Sequence, residues 1–147
     1  MMKKLLFPLY LVMLITACKK QQHAPIEVMA ADNIVGTWEL RHVQNGMIPD
    51  IAYPAGNRHI LQLSLTGYQF YTNGQLEKSG SYVLVRDNRS VKGECFELAA
   101  GQSISRLIFD GDRNNSKIIQ QPAANSLIML SGCSALDSGS YTSYEKQ

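Results

Sequence analysis

Residues 32–43, DNIVGTWELRHV, decide the fold. They carry the single tryptophan of the chain, Trp38, two residues after Gly36. In an extended segment successive side chains point to opposite faces, so Trp38, Leu40 and His42 share one side. A sheet that rolls up leaves its ends open to water. A large flat side chain near the first strand closes one end, and a buried Trp covers on the order of 200 Å². Gly36 permits a positive φ and a close backbone approach where the incoming chain crosses that end.

Outward from this stretch the dominant period is two. Segments 35–44, 59–65, 67–73, 79–86, 94–99, 103–110, 126–131 and 139–146 alternate apolar and polar residues and are cut by Gly, Asn and Asp. These are strand signals. Asn73-Gly74 predicts a type I′ hairpin, which needs positive φ at both central positions. Segments 86–90 and 110–116 read as further turns. Eight short strands without an amphipathic helix predict an all-β, antiparallel domain, either an up-and-down barrel or a sandwich. About 115 residues make one domain with one core.

The N-terminus, MMKKLLFPLYLVMLITACKK, joins two lysines to an apolar run at 5–15. That run falls short of the ~20 residues that span a bilayer. A basic start, a short apolar core and small residues before a cut site describe a secretory signal. Ile15-Thr16-Ala17-Cys18 resembles a bacterial lipobox, which implies removal of 1–17 and lipidation of Cys18. The other reading is an ordinary signal with an incidental cysteine. Acyl chains hold a protein at ~0.8 kcal/mol per buried methylene. Segment 18–32 then reads as the lipidated cysteine and a flexible tether, with an r.m.s. span of roughly 20 Å, and 33–147 as the domain. Lys19 and Lys20 without a neighbouring acid resemble lipoproteins of the outer membrane that face the periplasm.

The whole chain has 14 basic and 12 acidic residues, and loss of Lys3 and Lys4 with the signal leaves the charges balanced. Nucleic-acid binding requires a basic footprint, so no nucleic-acid partner is expected. Cys95 and Cys133 remain for a disulfide in an oxidising compartment. Such a bridge would be worth about 4 kcal/mol in the chain-entropy model. Two thiols that never meet are the alternative.

Gly36-x-Trp38 at the start of the first strand, behind a loose N-terminal segment, resembles the lipocalin-like domain of small bacterial lipoproteins. The likeness covers about 33–146, with IVGTWEL in front, GYQFYTNGQLEKSGSYVLV in the middle and SYTSYEK at the end. It implies an eight-stranded, antiparallel, up-and-down lipocalin-like barrel closed by Gly36 and Trp38. Lipocalins place an arginine of the last strand over the tryptophan, whereas this chain offers only Lys146. Their Thr-Asp-Tyr element is not recognisable. The domain is shorter than a typical lipocalin, so a small or filled cavity is expected.

If Trp38 faces inward, the matching lining is Leu40, His42, Leu61, Leu63 and Tyr68, followed by Phe70, Tyr82, Leu84, Phe96 and Leu98. An apolar lining with a few hydroxyls and one imidazole suits a small-molecule pocket, and it equally suits a filled core. His42 and His59 lack the further ligands a metal site needs. Asp110-x-Asp112-x-Asn114 opens like a calcium loop, but Asn115 and Gln121 stand where glycine and glutamate belong. Gly101-Gln102-Ser103-Ile104-Ser105 lacks the closing glycine of a nucleophile elbow. No enzyme, metal or cofactor is expected. The sequence therefore predicts a lipid-anchored envelope barrel that binds a small, mainly apolar ligand. The alternative is an interaction or inhibitor barrel that engages an envelope protein, with segment 19–32 as the inserting element. A third is an envelope accessory without a ligand; fold likeness alone does not choose between them.

Overall fold

The strand containing Trp38 runs from Gly36 to Asn45 and pairs on both sides, so it has no open edge over its first half. The computed structural model describes residues 26–88, 102–133 and 139–147. Among the described residues ten strands follow in chain order: β1 (Glu27–Val28), β2 (Gly36–Asn45), β3 (Ile51–Ala52), β4 (Ile60–Leu63), β5 (Gly67–Thr72), β6 (Gln75–Asp87), β7 (Ile104–Phe109), β8 (Ser116–Ala123), β9 (Ser126–Ser131) and β10 (Ser140–Lys146). Eight of them, β2 and β4 to β10, form a closed antiparallel ring in up-and-down order; β6 pairs with β7 and β10 returns to β2. This is a lipocalin-like barrel. Closure removes the unpaired edges that an open sheet would expose.

Local chemistry sets the corners. Asn73 and Gly74 have φ of 54° and 79° at the β5–β6 turn, the positive values that a type I′ hairpin needs. At the β7–β8 connection a single 3-10 turn spans Arg113–Asn115, and the Asp112 side chain accepts from the Asn114 backbone N–H at 2.9 Å. On the outer face, Asp87 and Arg113 form a close ion pair, while Arg106 donates to the Ser116 hydroxyl at 3.2 Å. These contacts tie β6, β7 and β8 together.

Three expectations are corrected. Segment 116–123 is a strand although its residues do not alternate; Ile118 and Ile119 are adjacent, and the register shifts between Gln120 and Ala123. Strand β6 begins at Gln75, four residues before the expected start, since the hairpin pairs right up to its turn. The tether does not extend to Asp32. Glu27 and Val28 pair with Arg86 and Val85, Met29 N–H donates to the Leu84 carbonyl at 2.8 Å, and Ala31 and Ile34 are buried. Residues 27–34 are thus part of the folded body, held by main-chain bonds that a polar-looking sequence does not advertise. The signal segment 1–17, Cys18, the expected strand 94–99 and the residues Cys95, Phe96 and Leu98 lie outside the described residues.

The core sits inside the ring. Trp38, Leu61, Leu63, Tyr68, Tyr82, Leu84, Leu107, Phe109, Ile119, Leu127 and Met129 pack there with Ala31 and Ile34. Along the strands these residues alternate with outward side chains, of which Glu39, Val85, Asp87, Arg106 and Ile108 are buried as well.

Candidate functional site

The barrel has a floor and a mouth, and the same alternation builds both. At the floor Trp38 is fully buried, and its indole N–H donates to the Ile34 carbonyl at 2.8 Å. Strand β10 places Lys146 opposite Trp38, and its ammonium lies 5.3 Å from the indole centroid. Gly36 has φ of 148°, and a Cβ built there would stand 2.6 Å from Lys146 Cε. Glycine makes room for the lysine stem. Lysine here occupies the place over the indole that the lipocalin resemblance gives to arginine.

Above the floor the described side chains pack closely on one another. Leu61, Leu63, Tyr68, Tyr82 and Leu84, expected to line a ligand cup, are all buried against one another and against Leu107, Ile119 and Leu127. The Tyr68 ring meets Phe109 edge-on at 4.8 Å and Phe70 at 5.5 Å. Such T-shaped pairs add about 0.5–1.5 kcal/mol beyond area burial. The Tyr68 hydroxyl donates to Asp110 Oδ2 at 2.7 Å, and Ser81 N–H donates to Asp110 Oδ1 at 3.2 Å. The Tyr68 bond holds the Asp110 carboxyl below its ordinary value, while burial pushes the Tyr68 phenol up. Asp110 and Asp112 of the calcium-like sequence are therefore used as a latch and a cap.

The mouth is different. A cavity of about 110 Å³ lies between Phe70, Phe109, Met129 and Tyr144. Its polar wall comes from Lys78, Asn115, Lys117, Ser140 and Thr142. A more open hollow of about 300 Å³, sharing Phe70, Lys78 and Tyr144, leads outward past Leu40 and His59. A larger depression of about 630 Å³ runs beside Gly36, Gln62, Gln69 and Ser79. It is a shallow outer hollow rather than part of the mouth.

Two lysines enter the mouth in different states. Lys78 lies 3.5 Å from Asp110 and 5.5 Å from the Tyr68 centroid, so its charge is balanced. Lys117 is half-buried and donates to the Ser131 hydroxyl at 2.8 Å. Burial pulls its ammonium below the ordinary lysine value, and among the described residues no carboxylate pairs with it. Burial also pushes the Tyr144 phenol well up, so Tyr144 presents a neutral hydroxyl.

The structure brings Leu40, Leu61, Leu63, Tyr68, Phe70, Tyr82 and Leu84 to the inside as a set, with Leu40 and Phe70 at the mouth. His42 is a correction. Strand β10 pairs Ser143 with His42 and Tyr144 with Leu40, which leaves Arg41 as an extra residue in a β-bulge. One extra residue flips every later side chain to the other face. His42 consequently points outward, half exposed, with Nδ1 2.9 Å from Asp50. Arg41 meets Glu39 at 2.7 Å and Glu145 at 2.8 Å on the outer surface.

Lys78, Lys117, Thr142 and Tyr144 were missed because only apolar alternation was followed. One signal was available. If Lys146 covers Trp38, a step of two back along β10 gives Tyr144, Thr142 and Ser140 on the inner face. No family model, curated protein or solved structure matches the chain.

Proposed function

We propose that this protein is a lipid-anchored lipoprotein of the cell envelope whose lipocalin-like barrel binds a small, mainly apolar ligand at its mouth. The observation that carries the reading is the mouth cavity, walled by Phe70, Phe109, Met129 and Tyr144 above the packed core of the described residues. Its volume of about 110 Å³ is well under the ~300 Å³ of a drug-sized pocket. The ligand is therefore small, and a long acyl chain does not fit inside.

Anchoring rests on the lipobox-like Ile15-Thr16-Ala17-Cys18, and placement in the outer membrane on Lys19 and Lys20. Labelling with a palmitate analogue should mark the chain, and Cys18→Ala should abolish the mark. Retention of the label in that variant contradicts the anchor. A bridge between Cys95 and Cys133 is part of the proposal. Cys133 is buried, and with Cys18 assigned to lipid the remaining cysteine is Cys95.

Native mass spectrometry of the purified protein tests the ligand reading. A co-purifying small molecule supports it. No adduct, together with no thermal shift across a panel of short acids, alcohols and aromatics, contradicts it. A second reading, an envelope protein partner, is favoured by Met47, Ile48 and Ile51, which stand exposed around the β2–β3 loop. Insertion of the N-terminal segment into a partner is less favoured, because residues 27–34 already lie against the barrel.

A further inference from the structure

We propose that the mouth cavity recognises an anion, with Lys117 taking the carboxylate of a small single-ring or short-chain acid whose apolar body packs on Phe109, Met129 and Tyr144. This inference rests on the ligand reading above and names the class of ligand. Most other described cations stand against a carboxylate or a ring. Arg41 is paired with Glu39 and Glu145, Arg86 with Glu27, Arg113 with Asp87 and Lys78 with Asp110. Lys146 lies on the Trp38 ring. Lys117 is half-buried on the cavity wall, and its one hydrogen bond among the described residues goes to Ser131.

An ammonium has three donors, so two of its N–H bonds are left to face the cavity. A buried charge without a counter-charge is costly, and a bound anion offsets that cost. Burial lowers the Lys117 pKa, the signature of a cation that lacks a partner. The neighbouring groups suit a carboxylate. Ser131 accepts from Lys117, which leaves its own hydroxyl hydrogen free to donate, and Thr142 adds a second hydroxyl to the wall. Charge-assisted bonds of this kind are the strong ones.

Size and charge narrow the class further. A single unpaired ammonium matches a monoanion, whereas a phosphate dianion calls for a fork of cations. The apolar side of the cavity has room for one ring or a few carbons, since Tyr68 and Leu107 fill the space below.

Benzoate and its neutral isostere benzamide are the probes, titrated calorimetrically into the full chain. Benzoate should bind at least about tenfold more tightly than benzamide, the size expected for one hydrogen bond to a charged group. Lys117→Met should erase that preference, and Arg86→Met, whose cation pairs with Glu27 away from the mouth, should change benzoate affinity by no more than about twofold. Should Lys117→Met fail to fold, as judged by Trp38 emission, Lys117→Gln serves in its place. Met129→Trp, which fills the cavity, should block both probes. Equal binding of the two probes, blocked by Met129→Trp but indifferent to Lys117, overturns the acid assignment while leaving the ligand pocket standing. Loss of benzoate binding in Lys78→Met with Lys117→Met unaffected also overturns it. Binding of neither probe overturns the acid assignment for ring compounds; if the native mass spectrum likewise carries no adduct, the ligand reading falls with it.

Discussion

The floor and the mouth of this barrel are built from the same strands, and each holds a lysine, yet the two lysines stand in opposite situations. Lys146 lies over the Trp38 ring in a slot that Gly36 opens. Lys117 is half-buried between β8 and β9 with one hydroxyl and no counter-charge among the described residues. One end spends its polar residue on closing the fold. The other leaves it facing a hollow. The contrast teaches that a lining read as uniform from alternation is graded along the barrel axis, from a sealed apolar base to a basic rim.

Substitution at the two ends should separate them sharply. Trp38→Ala removes a fully buried indole and its bond to Ile34; a loss of about 3–5 kcal/mol is expected in urea unfolding. Phe70→Ala, at the half-buried mouth, should cost only about 1–2 kcal/mol. Equal losses would break the distinction. Gly36→Ala forces a Cβ against Lys146 at a φ of 148°, and about 1–2 kcal/mol of destabilisation is expected, measured by the same unfolding curves.

The lysines give the finer test. Lys146→Met should cost about 1 kcal/mol through loss of the cation–π contact. Lys117→Met should leave stability within about 0.5 kcal/mol of the parent, because the lost Ser131 bond is offset by relief of an unpaired charge. The pH dependence follows from the lowered Lys117 value. Below it the folded and unfolded states both carry the proton, and the cost of burying the charge is fully present. Between it and the ordinary 10.5 the unfolded state holds more protons, so stability rises with pH. The parent should therefore gain stability relative to Lys117→Met as pH rises through that window. A difference that stays flat from neutral pH to about pH 10 would show that Lys117 titrates like an exposed lysine.

Much of the fold was legible because alternation and turn chemistry are local. Segments 59–65 and 67–73 place Leu61, Leu63, Tyr68 and Phe70 by period alone, and Asn73-Gly74 names its own turn. What escaped depends on partners. Nothing in GTWELRHV marks Arg41 as a bulge; the extra residue exists only because β10 pairs around it, and it turns His42 outward. Strand β8 escaped because Lys117, an inward residue, is polar, while Pro122 reads as a strand breaker. The candidate site escaped for the same reason as β8. A search for an apolar lining passes over the polar side chains that give a pocket its selectivity.

The single tryptophan makes the central claim, a barrel sealed at its base by a buried indole, directly measurable. Fluorescence of the parent protein, with iodide and acrylamide as quenchers, reports on Trp38 alone. A blue-shifted emission that iodide leaves untouched, moving to the water-exposed position only on unfolding, is the predicted result. Emission already at the water-exposed position in the folded protein, with full iodide quenching, would contradict it.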